Sequence, residues 1–216
     1  TLFLAASDYY ATVDSIVADI PSDLRGLSNG GDYIIITHNK FADIADQLAA
    51  FRQNNFPDES IPNPRIKVVD VQQIYDEFSF GFLNPMALKD FVKYAFESWI
   101  SPAPSYIVLL GDMSYDYRAL LESNRPNFIP SIPYYSQPDY GQAVSDNLIV
   151  AVAGIDAAPD LALGRLSIET VDEGNILLQK LMDYPDDDTK PWKQNVLLLA
   201  SGLNLSDELQ FGFNDE

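Results

Sequence analysis

Apolar and polar positions change period along the chain, and the changes predict a sequence of elements. The run "DYIIIT" at 32–37 is short, continuously apolar and rich in β-branched residues, as for a strand covered on both faces. In "NKFADIADQLAAFRQNN" the apolar residues Phe41, Ile44, Ala45, Leu48 and Phe51 recur three and four apart, which predicts an amphipathic helix. The proline-containing loop "FPDESIPNP" leads to a second strand, "RIKVVDV", and then to a short helix in "QQIYDEFSFG" ending at Gly81. "NPMALKDFVKYAFESW" predicts a further helix, with Asn84 as N-cap, Pro85 in the first turn, and Met86, Phe91, Tyr94, Ala95 and Trp99 facing inward. "SYIVLLG" at 105–111 is the third strand.

Strand, helix, strand, helix, strand is the order of a parallel α/β sheet with right-handed crossovers, and it predicts helices on both faces. The stretch 124–142, rich in Pro and Tyr, breaks the rhythm and reads as an ordered loop with short extended pieces. "SDNLIVAVAG" and "PDLALGRL" read as two short strands, paired as a hairpin across the "IDAAPD" turn. Thr170 and Glu173 form a capping box for the helix "TVDEGNILLQKLMDYP", and "NVLLLASG" at 195–202 reads as another buried strand. Residues 1–31 have turn residues without a sustained period and are taken as a lead-in segment, with the main domain over 32–216. The acidic run at 186–188 reads as a solvated turn.

Charge and composition narrow the function. The net charge is −19, with only 13 Lys and Arg, which argues against nucleic-acid binding and against an anionic membrane surface. No apolar run reaches the ~20 residues of a transmembrane segment. The absence of cysteine excludes disulfides, zinc on thiolates and thiol catalysis by these 216 residues. The one histidine, His38, follows the first strand. No phosphate-binding loop, dinucleotide glycine fingerprint or nucleophile elbow is present.

In an open α/β sheet, ligands bind beyond the carboxyl ends of the strands. Thr37–His38–Asn39, Asp70, Gly111–Asp112 and Ser201–Gly202 fall at such ends. Asp112, Ser114 and Asp116 alternate after the third strand and can wrap oxygens around calcium. An EF-hand is excluded, because its sixth place is Tyr117 and its twelfth Ser123; no cofactor is expected, and an irregular structural calcium site is the one alternative left open. Asp146 precedes an apolar run and reads as a turn residue or a site residue. The Pro- and Tyr-rich stretch is able to line a peptide groove or to pack on the core.

Several segments together resemble one family. "GGDYIIITHNKFADIADQLAAFRQ", "IKVVDVQQIYDEFSFGFLNPMALKDFVKYAFESW", "SYIVLLGDMSYDYR", "SDN" and "ALGRLSIETVDEGNILLQKLMDYP" are similar, in order, to the gingipain-type cysteine peptidase domain. The broad bacterial branch that includes the type IX secretion sortase is the nearer part of that family. The resemblance implies a caspase-like fold, peptide-bond cleavage by a Cys-His dyad, a polypeptide substrate, and secretion or surface exposure in a bacterium. It also implies that Asp146 matches an acidic residue near the substrate pocket, and that Asp112, with Ser114 and Asp116, lies on the rim of the cleft. The family's histidine and cysteine follow the segment matching "NVLLLASG", so the resemblance implies no catalytic residue within this chain. Two expectations follow. The chain is the N-terminal portion of a peptidase domain whose remainder lies in the same or another chain, leaving the sheet incomplete on its C-terminal side, or it is a binding module derived from that fold.

Overall fold

The computed structural model describes residues 18, 21–56, 58–121, 125–137, 141–184 and 195–197. The chain divides into two compact units, Thr1–Gln179 and Lys180–Glu216. The second is described only over 180–184 and 195–197, and the acidic run at 186–188 lies outside the described residues. The first unit holds the fold described below.

Among the described residues, four parallel strands form the main sheet, in the order β2 (Ile66–Asp70), β1 (Tyr33–Thr37), β3 (Tyr106–Leu110) and β6 (Ala162–Leu166). Strand β1 pairs with β2 on one side and with β3 on the other. All five β1 residues are buried, which explains why its sequence is continuously apolar rather than alternating. Helix α1 (Ala42–Asn54) follows β1 after one 3-10 turn and buries Ile44, Ala45 and Leu48. Helix α2 (Val71–Ser79) starts directly from β2, and α3 (Pro85–Ser98) buries Ala87, Leu88, Phe91, Val92 and Ala95. The chain steps from β1 to β2 in one direction and from β2 back across β1 to β3 in the other. With right-handed crossovers, α1 and α3 therefore cover opposite faces.

Described residues of the lead-in pack on this unit. Leu24 is buried, and its carbonyl accepts a hydrogen bond from the buried Trp99 indole at 2.9 Å. At the amino ends of β1 and β2 the buried Asp32 carboxylate takes 2.6 and 3.1 Å bonds from the Arg65 guanidinium and a 2.7 Å bond from the Arg65 backbone N–H. These bonds, the guanidinium's above all, hold the Asp32 carboxyl below the usual carboxylate range despite its burial.

The structure corrects three expectations. Met86 is 43% exposed, because the buried stripe runs through Leu88, Phe91, Val92 and Ala95, three and four residues apart, and Met86 lies on the opposite side of the helix. Residues 146–154 do not form a strand. Asn147–Val150 is a single helical turn, α4, with Ile149 and Val150 fully buried, and a short apolar run of this kind has no period that separates strand from helix. The hairpin lies earlier, where β4 (Ile132–Gln137) pairs antiparallel with β5 (Gly141–Ser145) through an irregularity between Tyr135 and Gln137. Strand β6 pairs parallel with β3 and is the last of the described strands on that side, so its main chain bonds to the central sheet and not to residues 145–154. Helix α5 (Val171–Met182) follows behind the expected capping box, with Thr170 Oγ1 accepting from Glu173 N–H and Glu173 accepting from Thr170 N–H, both at 3.2 Å. Of the strand expected at 195–202, residues 195–197 are in no helix or strand and 198–202 lie outside the described residues.

Candidate functional site

The carboxyl ends of β1, β2, β3 and β6 share one edge because all four strands run parallel in matched register. Thr37 pairs with Asp70 and Leu110, and Leu110 with Leu166. Beyond β3 the chain turns at Gly111, whose φ is +144°. A Cβ there would lie 2.9 Å from Phe128 Cβ, so only glycine allows the segment 125–132 to fold over the strand end. The backbone of Asp112 anchors that segment. Its carbonyl accepts from Phe128 N–H at 3.0 Å and Ile129 N–H at 3.3 Å, while its own N–H donates to Ile168 O at 3.0 Å.

Asp146, from the end of the hairpin, meets Arg165 of β6 over this edge. Arg165 Nε and Nη2 donate to the two Asp146 oxygens at 2.8 and 2.7 Å. Nη1 donates to Gly111 O and Ile129 O at 2.8 and 2.9 Å, and Nη2 also donates to Ser131 Oγ at 3.2 Å. Every guanidinium N–H thus has an acceptor. The Ser131 hydroxyl donates to Asp146 Oδ1 at 2.5 Å. Burial by itself would raise the Asp146 carboxyl, but the Arg165 and Ser131 bonds more than offset it and hold it low. Any further cation reaching Asp146 competes with Arg165 for both oxygens.

The other expected residues separate. Ser114 is buried, and its N–H donates to Asn127 Oδ1 at 3.1 Å. The Asp116 oxygens accept from Leu120 and Leu121 N–H at 2.9 and 2.6 Å, which stabilises their own turn. Asp116 also lines an open cavity of about 280 Å³ with Tyr115, Arg118, Leu121 and Pro133. Among the described residues no group of three or more His, Asp or Glu side chains is placed to hold a metal ion.

His38 faces a second cavity, of about 240 Å³, at the ends of β1 and β2. Its Nδ1 accepts from Lys40 N–H at 3.1 Å, which leaves Nε2 as the protonated nitrogen of the neutral ring. Burial lowers its pKa, and the Asp70 charge only partly opposes this. Sequence reasoning missed Arg165, Tyr75 and Asn127. For Arg165 a signal existed, since a cation inside an apolar strand requires a buried partner. Tyr75 and Asn127 carried none.

Comparison with known proteins fits this architecture. The model of Peptidase family C25 matches residues 27–215. Among solved structures, dimeric latent PorU from Porphyromonas gingivalis matches 74% of this chain at 22% identity, with a TM-score of 0.59. The RgpB pro- and mature-domain complex from the same organism matches 71% at 20% identity, and the Arg-specific cysteine proteinase gingipain R matches 72% at 20%, each with a TM-score of 0.49. The chain spans 16%, 29% and 28% of those three proteins' lengths. No curated protein matches.

Proposed function

The chain belongs to peptidase family C25, and on that premise we propose that it forms the scaffold and one wall of the substrate cleft of a secreted bacterial cysteine endopeptidase or transpeptidase. The carrying observation is the gathering of four parallel strand ends, with the Asp146–Arg165 pair above them, on one edge of a chain that contains no cysteine. The thiol nucleophile and its histidine base then come from residues outside these 216. In that chemistry a thiolate attacks the peptide carbonyl and an imidazolium protonates the departing amine. Water next cleaves the thioester, or an acceptor amine does so in transpeptidation. His38 is not that base in this reading, because its Nδ1 is occupied by the Lys40 amide. The polypeptide substrate runs along the carboxyl edge, past the rim formed by the segment after Gly111.

The absence of cysteine also favours a second reading, a peptide- or domain-binding module on the same fold. Hydrolysis of unstructured protein substrates separates the two. The 216-residue chain alone is expected to leave them intact, and the natural polypeptide that contains it is expected to cleave them with thiol-reagent sensitivity. Failure of the natural polypeptide to cleave supports the binding module.

A further inference from the structure

The cavity at the ends of β1 and β2 has unused hydrogen-bonding capacity on its walls. It is lined by His38, Asp70, Gln72, Tyr75, Asn127 and Phe128 and encloses about 240 Å³, room for a side chain and not only for a water molecule. The Tyr75 hydroxyl and the Asn127 Nδ2 are both buried without a hydrogen-bond partner among the described residues, and Tyr75 is only 4% exposed. Buried polar groups are ordinarily paired, so two orphaned donors around one cavity point to a missing acceptor. The Asn127 amide orientation is set by its Oδ1, which accepts from Ser114 N–H, and this leaves Nδ2 as the free group. Burial, reinforced by the Asp70 charge, raises the Tyr75 hydroxyl's pKa and keeps it protonated as a donor. Asp70 lines the same cavity, with Oδ1 accepting from Gln72 N–H at 2.7 Å and Oδ2 without a hydrogen bond among the described residues.

We propose that this cavity is a subsite for an uncharged carboxamide side chain, glutamine or asparagine, of a bound polypeptide. The carboxamide oxygen accepts from Tyr75 and Asn127, and its NH₂ donates to Asp70. A carboxylate would face the Asp70 charge in a protein of net charge −19, and an ammonium would leave both orphaned donors unanswered. Both donor atoms are closed off from solvent, so a carboxamide in the cavity meets them on a small shift of the Tyr75 and Asn127 side chains. The adjoining loop suits a polypeptide. Gly81 and Leu83 line the cavity, while Phe80 and Phe82, 94% and 74% exposed, offer apolar contact for neighbouring residues. Phe80 holds a positive φ of 58°, a conformation costly for an aromatic residue.

The inference rests on the proposed function only in taking a polypeptide as ligand, and its test needs no catalysis. His38 is the sole histidine, so its imidazole proton resonances are unambiguous reporters at the cavity. The probes are N-acetyl N-methylamides of glutamine, asparagine, alanine, glutamate and lysine, titrated into the 216-residue chain. The glutamine or asparagine probe is expected to shift the His38 signals saturably, and the alanine, glutamate and lysine probes to leave them in place. Tyr75→Phe is expected to weaken that binding about three- to tenfold, the effect of one lost hydrogen bond. The same variant is expected to remain folded and at least as heat-stable, since it removes an unpaired buried hydroxyl. Equal shifts from the alanine or a charged probe, or no shift from either carboxamide, overturn the proposal. Loss of stability in Tyr75→Phe also overturns it, by revealing a partner for the hydroxyl within the protein itself.

Discussion

Arg165 grips Asp146 through two parallel hydrogen bonds of 2.7 and 2.8 Å, and its remaining N–H groups tie the end of β3 to the segment that folds over it. The pair is mostly buried, with 10% and 24% of the two side chains exposed. Removing one partner leaves a buried charge unanswered. Arg165→Met is expected to cost about 3–5 kcal/mol in urea unfolding. Arg165→Lys keeps the charge but loses the planar fork, and is expected to recover only part of that loss. The double variant Arg165→Met/Asp146→Asn is expected to lose clearly less than the two single losses added, the mark of direct coupling.

Gly111 allows the close passage of Phe128. Gly111→Ala adds a Cβ 2.9 Å from Phe128 Cβ at a φ of +144°, and is expected to destabilise the fold by about 2–3 kcal/mol. Thermal unfolding checks this. A change below about 0.5 kcal/mol would mean that the segment 125–132 does not lie over the strand end as described.

Two groups of ionisable residues set the pH response. The His38 pKa lies below its unfolded value of about 6.5. Its contribution is therefore complete above that value and lost as pH falls through the folded pKa. Asp32 and Asp146 have lowered carboxyls, so their contributions hold above about pH 4 and disappear as pH falls through their folded values. Stability is expected to decline in two stages on acidification. His38→Asn, which preserves a capping acceptor for Lys40 N–H, is expected to abolish only the first. NMR titration of the one histidine measures its pKa directly, and a value above 6.5 contradicts the assignment.

Asp116 spends both oxygens on Leu120 and Leu121 N–H. Asp116→Ala is expected to cost about 1 kcal/mol, in the range of a lost cap. Calcium at millimolar concentration is expected to leave the melting temperature unchanged in both proteins. A rise with calcium that disappears in Asp116→Ala would restore Asp112, Ser114 and Asp116 as an ion site.

The parallel core was legible because its signals are local. The Ile34–Ile36 run, the spacing of Ile44, Ala45 and Leu48, and the Asn84–Pro85 start each identify an element from a few adjacent residues. Residues 147–150 were not legible, since the three apolar side chains Leu148, Ile149 and Val150 pack as well on a helical turn as on a strand. The β4–β5 hairpin was hidden by Pro133, which is tolerated only where its missing N–H is not needed. Site partners lay beyond reach for a different reason. Arg165 meets Asp146 from 19 positions away, and Tyr75 shares a cavity with Asn127 only because β1 and β3 are neighbours and β2 lies beside β1. Such pairs depend on strand order, which no local pattern encodes.

The most direct test is to treat the natural polypeptide containing these residues with a peptidyl chloromethylketone and map the labelled peptide by mass spectrometry. The predicted result is a single modified cysteine outside residues 1–216, with loss of proteolysis in proportion to labelling. Proteolysis that survives complete alkylation of every thiol, or a polypeptide without any reactive cysteine, would contradict the account and leave a family C25 fold that binds peptides without cutting them.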